Sequence, residues 1–299
     1  MGTDRTLKRL PPWFRTSLST NGRFAAVNNR VRQNQLHTVC ESAACPNRNE
    51  CWNAGTATFL ILGDRCTRSC RFCNIPSGDP SPVDRDEPQR VADAVAALGL
   101  GYAVVTSVTR DDLSDGGAGH FAETIRAIRR TAPDCGVEVL IPDFQGSGEA
   151  LTTVLETMPD VLNHNIETVP SLYPVIRPQA DYHRSLELLQ RTTACGIVSK
   201  TGMMLGLGEE TDEVRDVLAS LHEIGCSLLT LGQYLQPSRD HFPVAKYYRP
   251  EEFDCIRDQA LRMGFRQVVA GPLVRSSYHA GREFRNRSNG SRDVVSRSR

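Results

Sequence analysis

From residue 56 onward, short apolar, β-branched runs alternate with longer stretches in which apolar residues recur every three or four positions. The first kind reads as buried strand and the second as amphipathic helix. The strand runs are Thr58–Leu62, Tyr102–Val108, Val137–Ile141, Val161–Asn165, Val198–Leu205 and Leu228–Leu231, with Gln267–Ala270 as a seventh candidate. One helix is marked by Val91, Val95 and Leu98, a second by Phe121, Ile125 and Ile128, and a strong third by Val214, Val217, Leu218, Leu221 and Ile224. Thr211 precedes the third, with Asp212 and Glu213 in its first turn, where acids favour the helix dipole. Strand runs follow one another at roughly 25–45 residues, which fits repeated βαβ units. Six or seven such units predict a parallel α/β sheet, either curved into a partial barrel or doubly wound. In both arrangements active residues gather at the C-terminal ends of the strands.

Two stretches stand outside this alternation. Residues 1–55 show little periodicity and read as an N-terminal extension; residues 282–299, rich in Arg, Ser and Asn, read as a solvated, disordered tail. The 299 residues suit one large domain or two small ones, and α/β barrels of this length usually form a single domain. Lys+Arg and Asp+Glu both number 35, so overall charge gives no reason to expect a nucleic acid partner. No apolar run approaches the ~20 residues of a membrane span. The opening MGTDRTLKRLPPWF has no apolar signal core, so a cytoplasmic location without membrane contact is expected. In that setting ten cysteines do not suggest disulfides. Cys135, Cys195, Cys226 and Cys255 are scattered among apolar segments and read as small core residues.

The other six cysteines carry the chemistry. Cys66, Cys70 and Cys73, with Phe72 just before the last, occupy the loop after the first strand run. Three thiolates in so short a loop can converge on one metal centre. Structural zinc normally takes four ligands from paired knuckles, and no matching second knuckle follows. Three ligands to a 4Fe–4S cluster would leave one iron open to substrate, whereas the usual four cysteines close it. This spacing resembles the radical S-adenosylmethionine superfamily. The resemblance implies that the open iron chelates S-adenosylmethionine and that the reduced cluster cleaves it to a 5′-deoxyadenosyl radical.

Upstream, Cys40, Cys45 and Cys51 form another triple one ligand short. Here the likeness narrows. The segment from Leu36 to Trp52, the run Val105-Thr-Ser-Val-Thr-Arg-Asp-Asp-Leu-Ser-Asp-Gly-Gly-Ala118, Val137–Phe144, Asn163–Thr168 and Gly271–Ala280 together resemble the lipoyl synthase family. The match runs in consistent order from about Pro11 to Ala280. It implies a partial (β/α)6 TIM-like barrel over residues 56–270, an extension (1–55) carrying the cysteines of an auxiliary 4Fe–4S cluster, and a C-terminal segment (271–299) closing over the barrel. A serine of Arg275-Ser-Ser-Tyr278 then supplies the fourth auxiliary ligand, Ser277 being favoured over Ser276.

The same resemblance implies insertion of two sulfurs, at C6 and C8, into an octanoyl group on a lysine of a lipoyl carrier domain or glycine cleavage H protein. Each sulfur uses one S-adenosylmethionine, and the auxiliary cluster is consumed. A reducing donor such as ferredoxin or flavodoxin and an iron–sulfur carrier for cluster repair are the further expected partners. Expected cofactor contacts are Phe72, Thr106, Ser107, Asn165, Glu167, Arg177, Lys200, Gly206 and Gly208, with Lys200 and Arg177 placed to pair with the methionine carboxylate. Asp111, Asp112 and Asp115 read as caps or loop-ordering groups. A biotin synthase-like sulfur inserter would share only Cys66, Cys70 and Cys73. A non-catalytic iron–sulfur or zinc protein would close four ligands at each site.

Overall fold

The computed structural model describes residues 10–15, 21–54, 56–278 and 280–281. The extension contains helices α1 (Gly22–Gln33), α2 (Val39–Ser42) and α3 (Arg48–Asn53), with the two-residue strand β1 (His37–Thr38) between the first two. Strands β2 (Thr58–Ile61), β3 (Tyr102–Ser107), β4 (Gly136–Leu140), β5 (Val161–Asn163), β6 (Val198–Leu205), β7 (Leu228–Gln233) and β8 (Gln267–Gly271) follow. The helices between them are α4 (Glu87–Ala97), α5 (Ala118–Thr131), α6 (Gly148–Leu155), α7 (Tyr173–Ile176), α8 (Tyr182–Ala194), α9 (Thr211–Glu223) and α10 (Pro250–Met263).

The sheet runs β1 to β8 in chain order. β1 lies antiparallel on β2, and β2 to β8 are parallel. A doubly wound sheet reverses its order at a switch point. This order never reverses, so right-handed crossovers stack every connecting helix on one side and the sheet curls about the other. The curl brings distant strands together: Lys200 Nζ on β6 lies 3.1 Å from Glu138 Oε1 on β4, and the Tyr102 hydroxyl on β3 donates to the same carboxylate at 2.8 Å. The fold is therefore a partial TIM-like barrel. Among the described residues its parallel strands number seven rather than six, the Gln267–Ala270 run being β8, paired to β7 through Leu231 and Ala270.

Alternating strand residues divide the molecule. Outward-facing Phe59, Ile61, Val105, Val137 and Val139 pack with Val91, Val95, Phe121, Ile125 and Ile128 of α4 and α5. Leu205, Leu229 and Leu231 pack with Val214, Val217, Leu218 and Leu221 of α9. Leu60, Thr106, Leu140, Gly202 and Thr230 face the hollow instead. α9 starts at Thr211 itself, and the Glu213 carboxylate accepts the Glu210 N–H at 2.9 Å.

The extension is more regular than its sequence suggests. α1 buries only Val27 and Val31, a stripe too narrow to register as periodicity, and starts where the Asn21 side chain accepts the N–H groups of Arg23 and Phe24. Those valines join Leu36 and Trp52 in the same core as Phe59 and Val91. Two other expectations change. Cys195 and Cys255 are exposed, one at the end of α8 and the other on α10, while Cys135 and Cys226 are buried. The tail from residue 282 lies outside the described residues.

The Lys200–Glu138 pair is fully enclosed. Removing one partner strands the other charge. Lys200→Met should destabilise the chain by about 3–5 kcal/mol, read from chemical denaturation.

Candidate active site

The loop after β2 is pinned before it reaches the first cysteine. Leu62, held at a positive φ of 67°, donates its N–H to Glu87 Oε2 at 2.8 Å and offers its carbonyl to Arg110 Nη1 at 3.2 Å. Cys66 then donates its N–H to Pro76 O, and its sulfur accepts the N–H groups of Thr109 (3.3 Å) and Arg68 (3.4 Å). Arg68 is the loop's main anchor. It is buried, forks onto Asp111 at 2.6 and 2.9 Å, and reaches Asp143 at 2.6 Å. Loop ordering, the role read for Asp111, is what this contact provides; Asp112 instead pairs with Arg110.

Asp143 shows how strong the anchor is. Burial alone pushes its carboxyl up, but the hydrogen bond and charge of Arg68 outweigh that and hold it down at about 2. A carboxyl with a lowered folded pKa stabilises above its unfolded value, near ~3.9, and that contribution disappears as pH falls through the folded pKa. The stability advantage of the parent over Asp143→Asn should therefore be full at neutral pH and shrink below about pH 4, as read by denaturation at a series of pH values.

Cys66, Cys70, Cys73 and Phe72 line a cavity of 540 Å³ at the C-terminal ends of the strands. Thr106, Ser107, Asn165, Glu167 and Arg177 line it as well. Lys200, Gly206 and Gly208 do not. Lys200 lies deeper, engaged by Glu138, which removes it from the carboxylate contact expected of it. The N–H groups of Gly206, Leu207 and Gly208 are all taken by the Glu209 carboxylate, at 2.6, 2.9 and 3.1 Å, so this turn closes on itself. The glycine that does face the cavity is Gly202. A side chain there would stand 2.7 Å from Asn165 Oδ1 and 2.8 Å from Thr230 Oγ1.

Burial pushes the Cys70 thiol up and the Cys73 thiol up to about 12. Such thiols ionise when a cationic centre replaces the proton. Burial likewise raises the Glu167 carboxyl, against the pull of Arg177. Glu167 sits at φ 65°, its N–H on Gly202 O (3.0 Å), its carbonyl taking the Met204 N–H (2.8 Å), and its carboxylate taking Asn165 Nδ2 (3.0 Å). Arg177 donates to Asn165 O and Ile166 O, both at 3.1 Å. Three buried polar atoms on this wall lack a partner: Ser107 Oγ, Asn165 Oδ1 and Arg177 Nε. Buried polar atoms left open in a cavity are where a polar ligand binds. Burial pushes His164 down to about 4, and its Nδ1–H donates to Ile141 O at 2.9 Å, a structural role.

A second cavity, of 450 Å³, holds the upstream triple Cys40, Cys45 and Cys51 together with Ser277. Burial raises the Cys40 thiol and takes that of Cys51 to about 12. Ser277 Oγ accepts from Thr58 Oγ1 at 2.9 Å, while Asn47 Nδ2 reaches Leu273 O at 2.6 Å and Tyr278 reaches Glu50 at 3.0 Å. Val39, Ala43, Leu140, Arg275 and Ser276 border both cavities. Ser277 borders only the second, on the side of the three thiols. Among the described residues no three His, Cys, Asp or Glu side chains converge tightly enough for a single ion. A 4Fe–4S cluster spreads its ligands over separate irons, and two thiol triples, each missing one ligand, fit that group.

Sequence patterns missed one clamp on the first loop. His241 Nε2 donates to Cys73 O at 3.0 Å, and the Phe242 N–H to Arg71 O at 2.9 Å. No short-range signal marks a contact 168 residues away.

The radical SAM superfamily model matches residues 60–221, and the model of the N-terminal domain of lipoyl synthase matches residues 2–45. A lipoyl synthase of Chlorobium phaeovibrioides is 54% identical over 277 residues, covering 92% of this chain and 98% of that protein. One from Bacteroides fragilis is 48% identical, covering 95% and 99%. This chain belongs to the lipoyl synthase family. The family's cofactors are 4Fe–4S clusters and S-adenosylmethionine. The lipoyl synthase barrel also has distant likenesses in fold. Streptococcus suis SuiB bound to S-adenosylmethionine aligns with a TM-score of 0.57 at 8% identity, over 75% of this chain and 54% of that one. HydG of Carboxydothermus hydrogenoformans aligns at 0.53 and 15%, over 84% and 72%. No helix among the described residues of this lipoyl synthase family member is long and apolar enough to cross a membrane.

Proposed function

We propose that the chain inserts two sulfur atoms, at C6 and C8, into an octanoyl group amide-linked to a lysine of a lipoyl carrier domain or H protein. The observation that carries this reading is the adjacency of the two cavities, one thiol triple in each, across a shared wall of Val39, Ala43, Leu140, Arg275 and Ser276. An acyl chain lying along that wall borders both sites. Cys66, Cys70 and Cys73 would hold the first 4Fe–4S cluster, and Cys40, Cys45, Cys51 and Ser277 the second. When bound, the first centre with S-adenosylmethionine supplies the one-electron chemistry that an unactivated C–H bond requires, and the second supplies sulfur.

The protein's part is placement and exclusion of water. Ser107, Asn165 and Arg177 would offer their open polar atoms to S-adenosylmethionine, and Glu167 would supply a carboxylate for its ammonium group. Leu60, Val108, Leu140 and Met204 give the first cavity apolar walls that hold the acyl carbon near the reacting atom and keep solvent out. At the second site serine is a harder ligand than thiolate, which suits a bond released as the cluster is taken apart. In this reading Cys40, Cys45 and Cys51 of the extension would form the auxiliary centre beside the barrel of 56–270, and the segment that follows would bring Ser277 to it. A reducing donor of the ferredoxin or flavodoxin type and an iron–sulfur carrier for repair complete the cycle in the cytoplasm.

Anaerobic incubation with dithionite, S-adenosylmethionine and an octanoyl-lysyl peptide tests the reading by mass spectrometry. Two sulfurs should replace two hydrogens. Product should stop near one equivalent without a sulfur-restoring partner. An unchanged peptide mass, or many turnovers without such a partner, would contradict it.

A further inference from the structure

The chain is neutral as a whole, but its charge is segregated. Residues 1–40 hold seven Lys or Arg against one Asp, and residues 275–299 hold seven Arg against two acids, leaving 21 basic against 32 acidic residues in 41–274. Among the described residues of these two segments, both α1 and the stretch from Arg275 to Gly281 border the second cavity. Arg23, Ala26 and Val27 of α1 line it, and so do Tyr278, Ala280 and Gly281 at the other end of the described chain. On a helix, positions 23, 26, 27 and 30 share one stripe, which sets Arg30 one turn along from the lining residues. α1 has three arginines and no acid. Arg23 is exposed and Arg30 half-exposed.

The mouth itself is built from small residues: Ala26, Ala54, Gly99, Gly101 and Gly281. Behind it the walls are apolar, with Val27, Leu98, Leu100, Val104 and Leu140. An apolar passage with Arg23 at its edge, and Arg30 one turn along α1, suits a thin acyl arm carried on an acidic body. A nucleic acid has no group that would enter it.

We propose that this rim docks an acidic carrier domain, its octanoyl-lysine arm entering the second cavity between α1 and the C-terminal segment. The proposal rests on the function given above. Complementary charge speeds encounter and sets orientation, and it weakens as salt rises. A short octanoyl-lysyl peptide has no such body and bypasses the rim.

The test compares the octanoylated carrier domain with an octanoyl-lysyl tripeptide, using the parent and an Arg23→Glu, Arg30→Glu double variant. The domain's KM should rise about tenfold more than the peptide's, and its dependence on salt should flatten. Arg23→Lys with Arg30→Lys should restore both. Fluorescence anisotropy of the labelled octanoyl domain on the same proteins without clusters gives a second readout, with affinity lost in the Glu variant and kept in the Lys variant. Equal KM shifts for domain and peptide would overturn the proposal. So would a single-stranded DNA oligonucleotide binding the parent as tightly as the domain. Failure of the parent to modify either substrate would count against the functional reading instead, and the anisotropy would still decide the docking surface.

Discussion

Replacing Cys70 by Ala should abolish cleavage of S-adenosylmethionine and, with it, all sulfur insertion. Cys70 lies between Cys66 and Cys73 on the wall of the 540 Å³ cavity, in a loop fixed from three directions by Arg68, His241 and the Leu62 contacts. That rigidity works against the variant. A loop held this firmly cannot swing another ligand into the vacant position, and Cys135 and Cys226, both buried, are remote core residues. The other cavity keeps all four of its groups, so the loss should be selective: iron falls from about eight to about four per chain when each site holds one four-iron cluster. Anaerobic iron and sulfide analysis, with chromatography for 5′-deoxyadenosine, reads both effects. Undiminished 5′-deoxyadenosine would remove Cys70 from the role assigned to it.

Ser277→Ala should have the complementary effect, leaving cleavage of S-adenosylmethionine largely intact while sulfur insertion is lost. Ser277 stands with Cys40, Cys45 and Cys51, whereas Ser276 borders both cavities. The alanine also removes the acceptor for Thr58 Oγ1, a local cost of about 1 kcal/mol, too small to unfold the chain. Ser277→Cys sharpens the test. Thiolate is the softer and firmer ligand for iron, so the variant should retain iron like the parent yet yield less product. Ser276→Ala should keep most sulfur insertion. If Ser276→Ala lost insertion and Ser277→Ala did not, the assignment would pass to Ser276.

What was legible in the sequence follows the range over which sequence patterns act. Period reports which face of a segment is buried, so the seven parallel strands could be placed within a residue or two, and the apolar positions located the helices α4, α5 and α9 without fixing their ends. Cys66, Cys70 and Cys73 lie so close in the chain that any compact loop brings them together, and their spacing alone indicated an open metal site. The family resemblance supplied the reaction and pointed to Ser277.

Depth and closure were a different matter. Lys200 and Gly202 share one face of β6, so alternation cannot rank them; the register sets Lys200 beside Asn163 and a layer below the cavity, where Glu138 claims it, and brings Gly202 to the wall. Gly206 and Gly208 read as a close backbone approach to the cofactor, but the Glu209 carboxylate occupies their amides. The contact of Ser277 with Thr58, the clamp of His241 on Cys73 and the meeting of Arg23 with Gly281 at one cavity join residues far apart in the chain. The chain alone determined the chemistry available and the faces that carry it. Only the curl of the sheet decided which side chains meet, because meeting depends on register and curvature, which no local pattern encodes.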